Sequence, residues 1–359
     1  MADAIPQFTP VNLITGFLGS GKTTLLRRLL SDSRLAGTAV LINEFGEIGL
    51  DHHLLERIDE TMVLLQSGCL CCTIRGELAQ AMRDLLHRRE RGLVPAFDRL
   101  VVESTGLADP FPILSTIKAD AVLRHHFRPA AVIATVDAVN GLAQIESHVE
   151  STRQAAIADR LVLTKTDLAD EVRVARLLAR LRRLNPDAPL LRGADEDLDA
   201  VVLLADDGPE AERLSTRAWL RASFRSEDAG AEPSSGAAEA SHGATIQSFS
   251  LTFDEPVDWT AFGIWLSMLL NRHGDKVLRV KGILNLVGEA TPVAIHGVQH
   301  LVHAPVHMAS WPSADRRSRL VFIVDGLDPA LIKRSLAAFN RLAAPPAPVL
   351  ADGSRSSDG

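Results

Sequence analysis

The feature that most constrains the fold of this 359-residue chain is a glycine-rich octapeptide close to its beginning. Residues 16–23 read GFLGSGKT and match the pattern G-x-x-x-x-G-K-[ST] in full. The apolar run Val11–Thr15 precedes the octapeptide, and the helical pattern Thr23–Leu30 follows it. In this strand–loop–helix order, glycines let backbone N–H groups converge on phosphate oxygens. The sequence therefore predicts a phosphate-binding P-loop.

The side chains of this loop have distinct predicted roles. Lys22 supplies a positive charge for the β and γ phosphates, and the helix N-terminus adds its dipole. The Thr23 hydroxyl is a predicted ligand of Mg²⁺. The nucleotide-binding residues predicted in this region are Gly16, Gly19, Ser20, Gly21, Lys22, Thr23 and Thr24.

Short apolar runs alternate with longer helical patterns through the first half of the chain. The predicted strands are Val11–Thr15, Ala39–Asn43, Leu100–Glu103, Ala130–Asp137 and Arg160–Thr164. The predicted helices are Thr23–Leu30, Glu77–Arg91, Ala143–Asp159 and Glu171–Leu184. The strands show little polar alternation, as is typical of a sheet covered on both faces, so an α/β, doubly wound, mostly parallel sheet is expected.

A change of composition predicts the domain boundaries. Residues 226–243 are small and polar, and they cannot bury enough apolar surface to offset the entropy of ordering, so a flexible linker is expected. We expect a P-loop domain over 1–225, a smaller α+β domain over 244–342 and a disordered tail over 343–359. The later strands are predicted at Ile246–Phe253, Val277–Val287, Pro292–Ala304 and Arg319–Val324, and the helices at Trp259–Asn271 and Pro329–Leu342.

Two further motifs follow the P-loop in the order found in GTPases. Glu103 ends a predicted strand in the segment ESTG, where an acid orders Mg²⁺ directly or through water, and Gly106 can turn its N–H toward the γ-phosphate. The segment TKTD at 164–167 is similar to the GTPase motif N-K-x-D, with Thr164 in place of Asn. Asp167 can accept hydrogen bonds from guanine, and the stem of Lys165 can lie over the base. These residues predict GTP rather than ATP as ligand.

All three cysteines of the chain lie in the segment GCLCC at 68–72. Three thiolates suit a borderline or soft ion such as Zn²⁺, Co²⁺ or Cu⁺, so Cys69, Cys71 and Cys72 are candidate metal ligands. A redox switch is the main alternative for the same residues. Cysteines confined to one cluster provide no disulfide framework and fit a reducing, cytoplasmic compartment.

Taken together, these motifs resemble the CobW family of P-loop GTPases, which is related to the nickel-insertion GTPases of urease and hydrogenase maturation. The resemblance includes NEFGEIGLD at 43–51, RVKGILNL at 279–286 and VFIVDG at 321–326. It implies GTP-driven trafficking of a metal, with zinc or cobalt as cargo, to a client metalloprotein. By similarity the three cysteines form the metal site. Glu44 falls in a switch-like segment, where a metal ligand, a catalytic-water positioner and neither role all remain open.

Composition and the remaining patterns narrow the alternatives. A net charge of −7 argues against nucleic-acid binding, and no apolar run is long enough for a membrane span. A homo-oligomer stays an open alternative. Besides a metallochaperone, two alternatives stay open: a regulatory GTPase with a redox switch and a P-loop kinase of a small metabolite. Eight of the twelve histidines are interpreted as surface or packing residues: His52, His53, His125, His126, His296, His300, His303 and His307.

Overall fold

A seven-stranded parallel sheet organises the first part of the chain. The computed structural model describes residues 8–43, 62–65, 74–195, 198–205 and 245–343. The strands of this sheet are β1 (Thr9–Gly16), β2 (Thr38–Asn43), β3 (Met62–Leu65), β4 (Arg99–Glu103), β5 (Phe127–Asp137), β6 (Arg160–Thr164) and β7 (Leu190–Arg192). Their order is β3-β2-β4-β1-β5-β6-β7, which places β1 between β4 and β5 at the centre.

Helices cover both faces of this sheet. The helices in this part of the described chain are α1 (Lys22–Leu30), α2 (Ile74–Glu90), α3 (Pro110–Ala119), α4 (Gly141–Ser147), α5 (Val149–Ile157), α6 (Glu171–Leu184) and α7 (Ala200–Leu203). On β1, Leu13 belongs to the apolar cluster under α2, α3, α5 and α6, whereas Ile14 belongs to the cluster under α1 and α7. Neighbouring side chains of a strand point to opposite faces, so one continuous apolar run contributes side chains to the cores on both faces of the sheet. The doubly wound α/β fold is confirmed.

A mainly antiparallel sheet forms the second part of the described chain. Its strands are β8 (Ile246–Phe253), β9 (Val277–Leu284), β10 (Val293–Val298), β11 (Leu301–Val302), β12 (Val306–His307) and β13 (Ser318–Asp325). The order is β11-β10-β9-β13-β8, and β12 pairs with β10. Two helices, α8 (Trp259–His273) and α9 (Pro329–Ala343), pack against it through a core that contains Trp265 and Phe322.

The structure corrects several predicted element boundaries. The single helix expected over Ala143–Asp159 is two helices, because His148 takes an extended conformation (φ −128°, ψ 118°) and separates α4 from α5. The strand expected over Pro292–Ala304 is β10 and β11, joined by a turn in which Gln299 has φ 49°. The strand expected to reach Val287 ends at Leu284.

The two sheets share an interface with both apolar and ionic contacts. Ile246, Leu278, Val298 and Ile323 of the second sheet belong to the same apolar cluster as the helices of the first. The Arg279 guanidinium, 2% exposed, donates to the Ile157 carbonyl and to the Asp159 carboxylate, each at 2.5 Å. Burying an ion pair of this kind costs desolvation free energy, which only close contacts with good geometry offset. The contacts of Arg279 therefore also fix the position of the two sheets relative to each other.

Within the described residues, no helix is long and apolar enough to cross a membrane. The predicted linker over 226–243 lies outside the described residues, as does residue 344 onward of the predicted tail. Ala343, the first residue assigned to that tail, instead ends α9.

Candidate nucleotide site

The P-loop joins the central strand β1 to α1, and its backbone conformation explains its glycines. Gly16 has φ 140°, and a Cβ there would lie 2.3 Å from Thr135 Oγ1 and 2.5 Å from the Thr135 carbonyl. Gly21 precedes the helix with φ 89°, in the left-handed region. Both positions therefore require the absence of a side chain, Gly16 for space and conformation and Gly21 for conformation. The loop is further held by a 2.7 Å hydrogen bond between the hydroxyls of Ser20 and Thr135.

The side chains of Lys22 and Thr23 both make hydrogen bonds at the edge of the sheet that carries the P-loop. Lys22 Nζ donates to the carbonyls of Gly16 (3.0 Å) and Phe17 (3.2 Å), so the ammonium group lies against the loop. Thr23 Oγ1 donates to Glu103 Oε1 at 2.7 Å. Glu103, at the end of β4, is 4% exposed. The two side chains that the sequence analysis assigned to Mg²⁺ are thus in direct contact.

The loop after β4 rests on the P-loop. A Cβ on Gly106 would lie 2.7 Å from the Leu18 backbone nitrogen, so only glycine permits this approach. Ser104 N donates to the Ile14 carbonyl at 2.9 Å, and Ser104 Oγ donates to Thr15 Oγ1 at 3.0 Å. These contacts set the start of the loop relative to β1.

The segment TKTD follows β6 on the other side of the P-loop. Thr164 Oγ1 donates to the Ser20 carbonyl at 2.7 Å. Lys165 adopts a left-handed backbone conformation (φ 55°), and its Nζ donates to the Gly19 carbonyl (2.8 Å) and to Asp137 Oδ2 (2.7 Å). Asp167 lies exposed in a short 3₁₀ turn at Thr166–Leu168. The lysine stem is therefore fixed beside the loop while the aspartate faces outward.

Asp137 is a residue of this site that the sequence reasoning did not identify. Burial alone would raise its pKa, but hydrogen bonds from Lys165, from the Val139 amide and from Asn140 together hold the pKa below its ordinary value. The carboxylate therefore stays ionised and anchors Lys165. A signal was available, because Asp137 ends β5 at the same edge of the sheet as the P-loop, and parallel strands of such sheets bring functional residues to their carboxyl ends.

Two more contacts at the site were also missed. Gln154 Nε2 on α5 donates to the carbonyls of Gly106 (3.1 Å) and Ala108 (3.0 Å). After β7, Gly193 N donates to the Leu163 carbonyl at 2.6 Å, and Arg28 of α1 donates to the Gly193 carbonyl. No local sequence pattern indicates either contact, because each joins residues far apart in the chain.

Four of the predicted site residues cannot be placed. Glu44, Cys69, Cys71 and Cys72 lie outside the described residues. In the ranges that the structure describes, no three His, Cys, Asp or Glu side chains are grouped so that they could hold a metal ion. Among the histidines, the ring of His296 stacks on His303 with centroids 4.6 Å apart, and His300 contacts Asp275 at 3.1 Å.

Both parts of the chain match known protein families. Residues 10–192 match the family model of the CobW/HypB/UreG nucleotide-binding domain, and residues 246–340 match that of the cobalamin synthesis protein CobW C-terminal domain. The zinc chaperone YjiA of Escherichia coli is 35% identical over 331 residues, covering 92% of this chain and 98% of that protein. The zinc chaperone CobW of Pseudomonas aeruginosa is 30% identical, covering 91% and 90%.

A solved structure has the same fold. The crystal structure of Zn(II)-bound YjiA GTPase from E. coli superimposes with a TM-score of 0.66 at 30% identity, covering 92% of this chain and 99% of that one. The zinc-regulated GTPase metalloprotein activator 1 of Schizosaccharomyces pombe is 31% identical over 219 residues, 58% of this chain and 52% of that protein.

The parallel sheet, the P-loop between β1 and α1, and the acidic contact at the end of β4 define a P-loop GTPase. With both of its family models matched in order along the sequence, the chain belongs to the CobW family.

Proposed function

We propose that this protein is a GTP-hydrolysing metallochaperone that binds a transition-metal ion, zinc in the first place, and delivers it to a client protein. The observation that carries the proposal is the convergence of Lys22, the Thr23–Glu103 pair and Gly106 on one edge of the sheet. Relatives named as zinc chaperones and as GTPases support a GTPase metallochaperone.

In the proposed reaction, water attacks the γ-phosphate of GTP. Lys22, now held against the carbonyls of Gly16 and Phe17, stabilises the charge that develops on the phosphate oxygens. The backbone N–H groups of the glycine loop donate to the phosphate oxygens, with no Cβ in the way. Gly106 presents its N–H from a loop that already touches Leu18. Glu44 is retained as a candidate for positioning the water.

Hard oxygen donors suit Mg²⁺, and Thr23 Oγ1 and Glu103 Oε1 are such donors, 2.7 Å apart on facing elements. The residues present therefore fit this ion. When bound, Mg²⁺ would neutralise phosphate charge. Thr23 would hold it from the P-loop, and Glu103 from the end of β4.

Recognition of the guanine base is assigned to Asp167, with Lys165 beside it. Asp167 is exposed, and its carboxylate can accept from two guanine donors that adenine lacks. Lys165 is fixed by Gly19 and Asp137, so its stem offers a rigid apolar surface to the base. The loop at Gly193, held by Arg28 and the Leu163 carbonyl, lies beside this segment, since a Cβ on Gly193 would be 3.6 Å from Thr164 Cγ2.

The metal cargo is assigned to Cys69, Cys71 and Cys72. The described residues that flank them support this assignment: β3 ends at Leu65, paired with Asn43 of β2, and α2 begins at Ile74. Cys69 is four residues from Leu65, so covalent geometry limits the distance between their Cα atoms to about 14 Å.

Metal binding under reducing conditions tests the proposal against a redox switch. Reduced protein is titrated with Co²⁺ and with Zn²⁺, in the presence of GDP or of a non-hydrolysable GTP analogue, and Co²⁺ is followed by thiolate-to-metal charge-transfer absorption. We expect one equivalent of metal, tighter with the GTP analogue, and loss of the absorption in Cys71→Ser with nucleotide binding retained. Because free energies of coupling are reciprocal, metal should tighten the GTP analogue by the same factor.

Two results would count against this function. Equal metal affinity in both nucleotide states would refute a chaperone cycle driven by hydrolysis. Absence of stoichiometric metal in fully reduced protein, together with a reversible disulfide among the cysteines, would favour the redox switch. A variant of YjiA with one glutamate and two cysteines replaced by alanine is also described as Zn(II)-bound, so the charge-transfer band and not zinc content alone must identify the thiolate site.

A further inference from the structure

Helix α5 and the residue before it contact two of the loops at the proposed phosphate site, the P-loop and the loop after β4. Its N-terminal flank, His148, stacks on Phe17 of the P-loop with ring centroids 4.6 Å apart. Its middle residue Gln154, 1% exposed, donates to the carbonyls of Gly106 and Ala108. A buried amide with two such bonds holds this loop against the P-loop, because breaking them leaves polar groups without water.

The neighbouring residue on α5 extends the contact to the second sheet. Arg153 Nη1 lies 3.4 Å from Asp109 Oδ2, at the end of the same loop, and Arg153 Nη2 donates to Asp325 Oδ2 at 2.9 Å. Asp325 is the last residue of β13. One guanidinium therefore bridges two carboxylates through two different nitrogens, one in the loop after β4 and one at the end of β13 in the second sheet.

Both carboxylates are themselves built into the structure. Asp109 caps α3, because its Oδ1 accepts from the Phe111 amide at 2.9 Å. Asp325 accepts from the Thr245 hydroxyl through Oδ1, and its amide donates to the Lys276 carbonyl at 2.7 Å. Movement of either carboxylate therefore moves backbone with it, so the bridge joins two elements and not merely two flexible side chains.

The two contacts of the Arg153 bridge differ in length, and the longer one is the contact to the loop after β4. Charged hydrogen bonds of this type are commonly about 2.7–2.9 Å long. The Asp325 contact has that length, whereas the Asp109 contact at 3.4 Å is weak. A shift of the loop of about 1 Å toward or away from Arg153 would complete or abolish the second contact, and loops that sense a γ-phosphate move at least this far.

We propose that α5 couples the nucleotide site to the C-terminal sheet: Gln154 positions the loop that carries Gly106, and Arg153 passes movement of that loop to Asp325. This inference rests on the proposed nucleotide site. Coupling between distant sites requires an element that both sites influence. Helix α5 meets this requirement in the proposal, because it contacts the loop that would respond to the nucleotide and also contacts the second sheet.

Hydrogen exchange of the full-length protein tests the coupling directly. Amide exchange is compared with GDP and with a non-hydrolysable GTP analogue, in the loop 104–109 and in the segment 318–326. In the wild type we expect both regions to differ between the two nucleotides. In Arg153→Ala and in the nearly isosteric Asp325→Asn, the loop should still respond while the difference in 318–326 disappears.

A matched control removes a different contact between the sheets. Ser248 Oγ on β8 donates to the Arg183 carbonyl on α6 at 2.6 Å, a hydrogen bond that involves neither α5 nor the loop 104–109. Ser248→Ala should therefore keep the nucleotide-dependent difference in 318–326. Persistence of that difference in both Arg153→Ala and Asp325→Asn, or its absence from the wild type although the loop responds, would overturn the coupling.

The positioning role of Gln154 has its own readout. Gln154→Met keeps the length of the side chain and removes both donated hydrogen bonds. We expect it to weaken the GTP analogue about fivefold and GDP by less than about twofold, since only the γ-phosphate uses Gly106. Equal weakening of both nucleotides would indicate a general structural role. Lack of protection of residues 16–23 by either nucleotide would refute the proposed nucleotide site itself, and the coupling with it.

Discussion

Replacement of Asp187 by asparagine should stabilise this protein at neutral pH. Asp187 lies between α6 and β7, is 3% exposed, and has a carboxylate oxygen, Oδ2, with no hydrogen-bond partner among the described residues. Burial raises the pKa of this carboxyl to about 6, although the positive charges of Lys281 and Arg279 act in the opposite direction. The ionised form is therefore held in the folded protein at a cost.

The size of this cost follows from the difference between the two pKa values. A rise from 3.8 to about 6 corresponds to roughly 3 kcal/mol of folding free energy, at about 1.36 kcal/mol per pH unit. Between these two pH values the folded state binds more protons than the unfolded state, so stability falls as pH rises through this window. Asp187→Asn cannot ionise, and its gain over the wild type should be complete only above pH 6.

Urea unfolding of wild type and Asp187→Asn at pH 8 and at pH 5 measures this gain. We expect the variant to be more stable by roughly 3 kcal/mol at pH 8 and by about half of that at pH 5, where the folded wild type is largely protonated. Serine at the same position is a control for loss of volume. A variant less stable than the wild type at pH 8, or a gain that does not shrink at pH 5, would refute the reasoning.

Three further predictions concern the nucleotide site. Lys22→Ala should weaken GTP binding by at least about 100-fold in a fluorescent-nucleotide titration, because this ammonium lies against the carbonyls of Gly16 and Phe17 and is assigned to the β and γ phosphates; wild-type affinity would contradict its role. Gly106→Ala should lower hydrolysis at saturating GTP about tenfold or more while GDP affinity stays near wild type, since the added Cβ would meet Leu18 at 2.7 Å. Asp167→Asn should reduce the preference for GTP over ATP about tenfold in competition binding, and equal affinity for both nucleotides in the wild type would disprove base recognition.

The sequence predicted the parts of the fold that depend on local patterns. The P-loop needs only its own residues and the strand before it, and β6 and α6 have the predicted ends, Arg160–Thr164 and Glu171–Leu184. Helix α3 was missed even though Asp109 and Pro110 give a standard N-terminal signal, because its ten residues are a short apolar run without clear periodicity.

Long-range contacts account for most of what was not predicted. His148 interrupts a helical pattern because its ring packs on Phe17, 131 positions earlier in the chain. No neighbouring residue gives a sequence signal that would predict this interruption. Gln154 and Asp137 contribute to the site through partners 28 to 48 residues away. The assignments of Cys69, Cys71, Cys72 and Glu44 concern residues outside the described part of the chain, and they stay predictions.

The apolar cluster that spans both sheets has a consequence for how this protein must be handled. Ile246, Leu278, Val298 and Ile323 are each no more than 6% exposed, and they complete a core whose other members come from the first part of the chain, its sheet and its helices. A truncated chain ending before Ile246 would leave the partner surface uncovered, and exposed apolar surface of this kind promotes aggregation. Heating should accordingly produce a single cooperative transition, and any assay of nucleotide or metal exchange calls for the intact polypeptide.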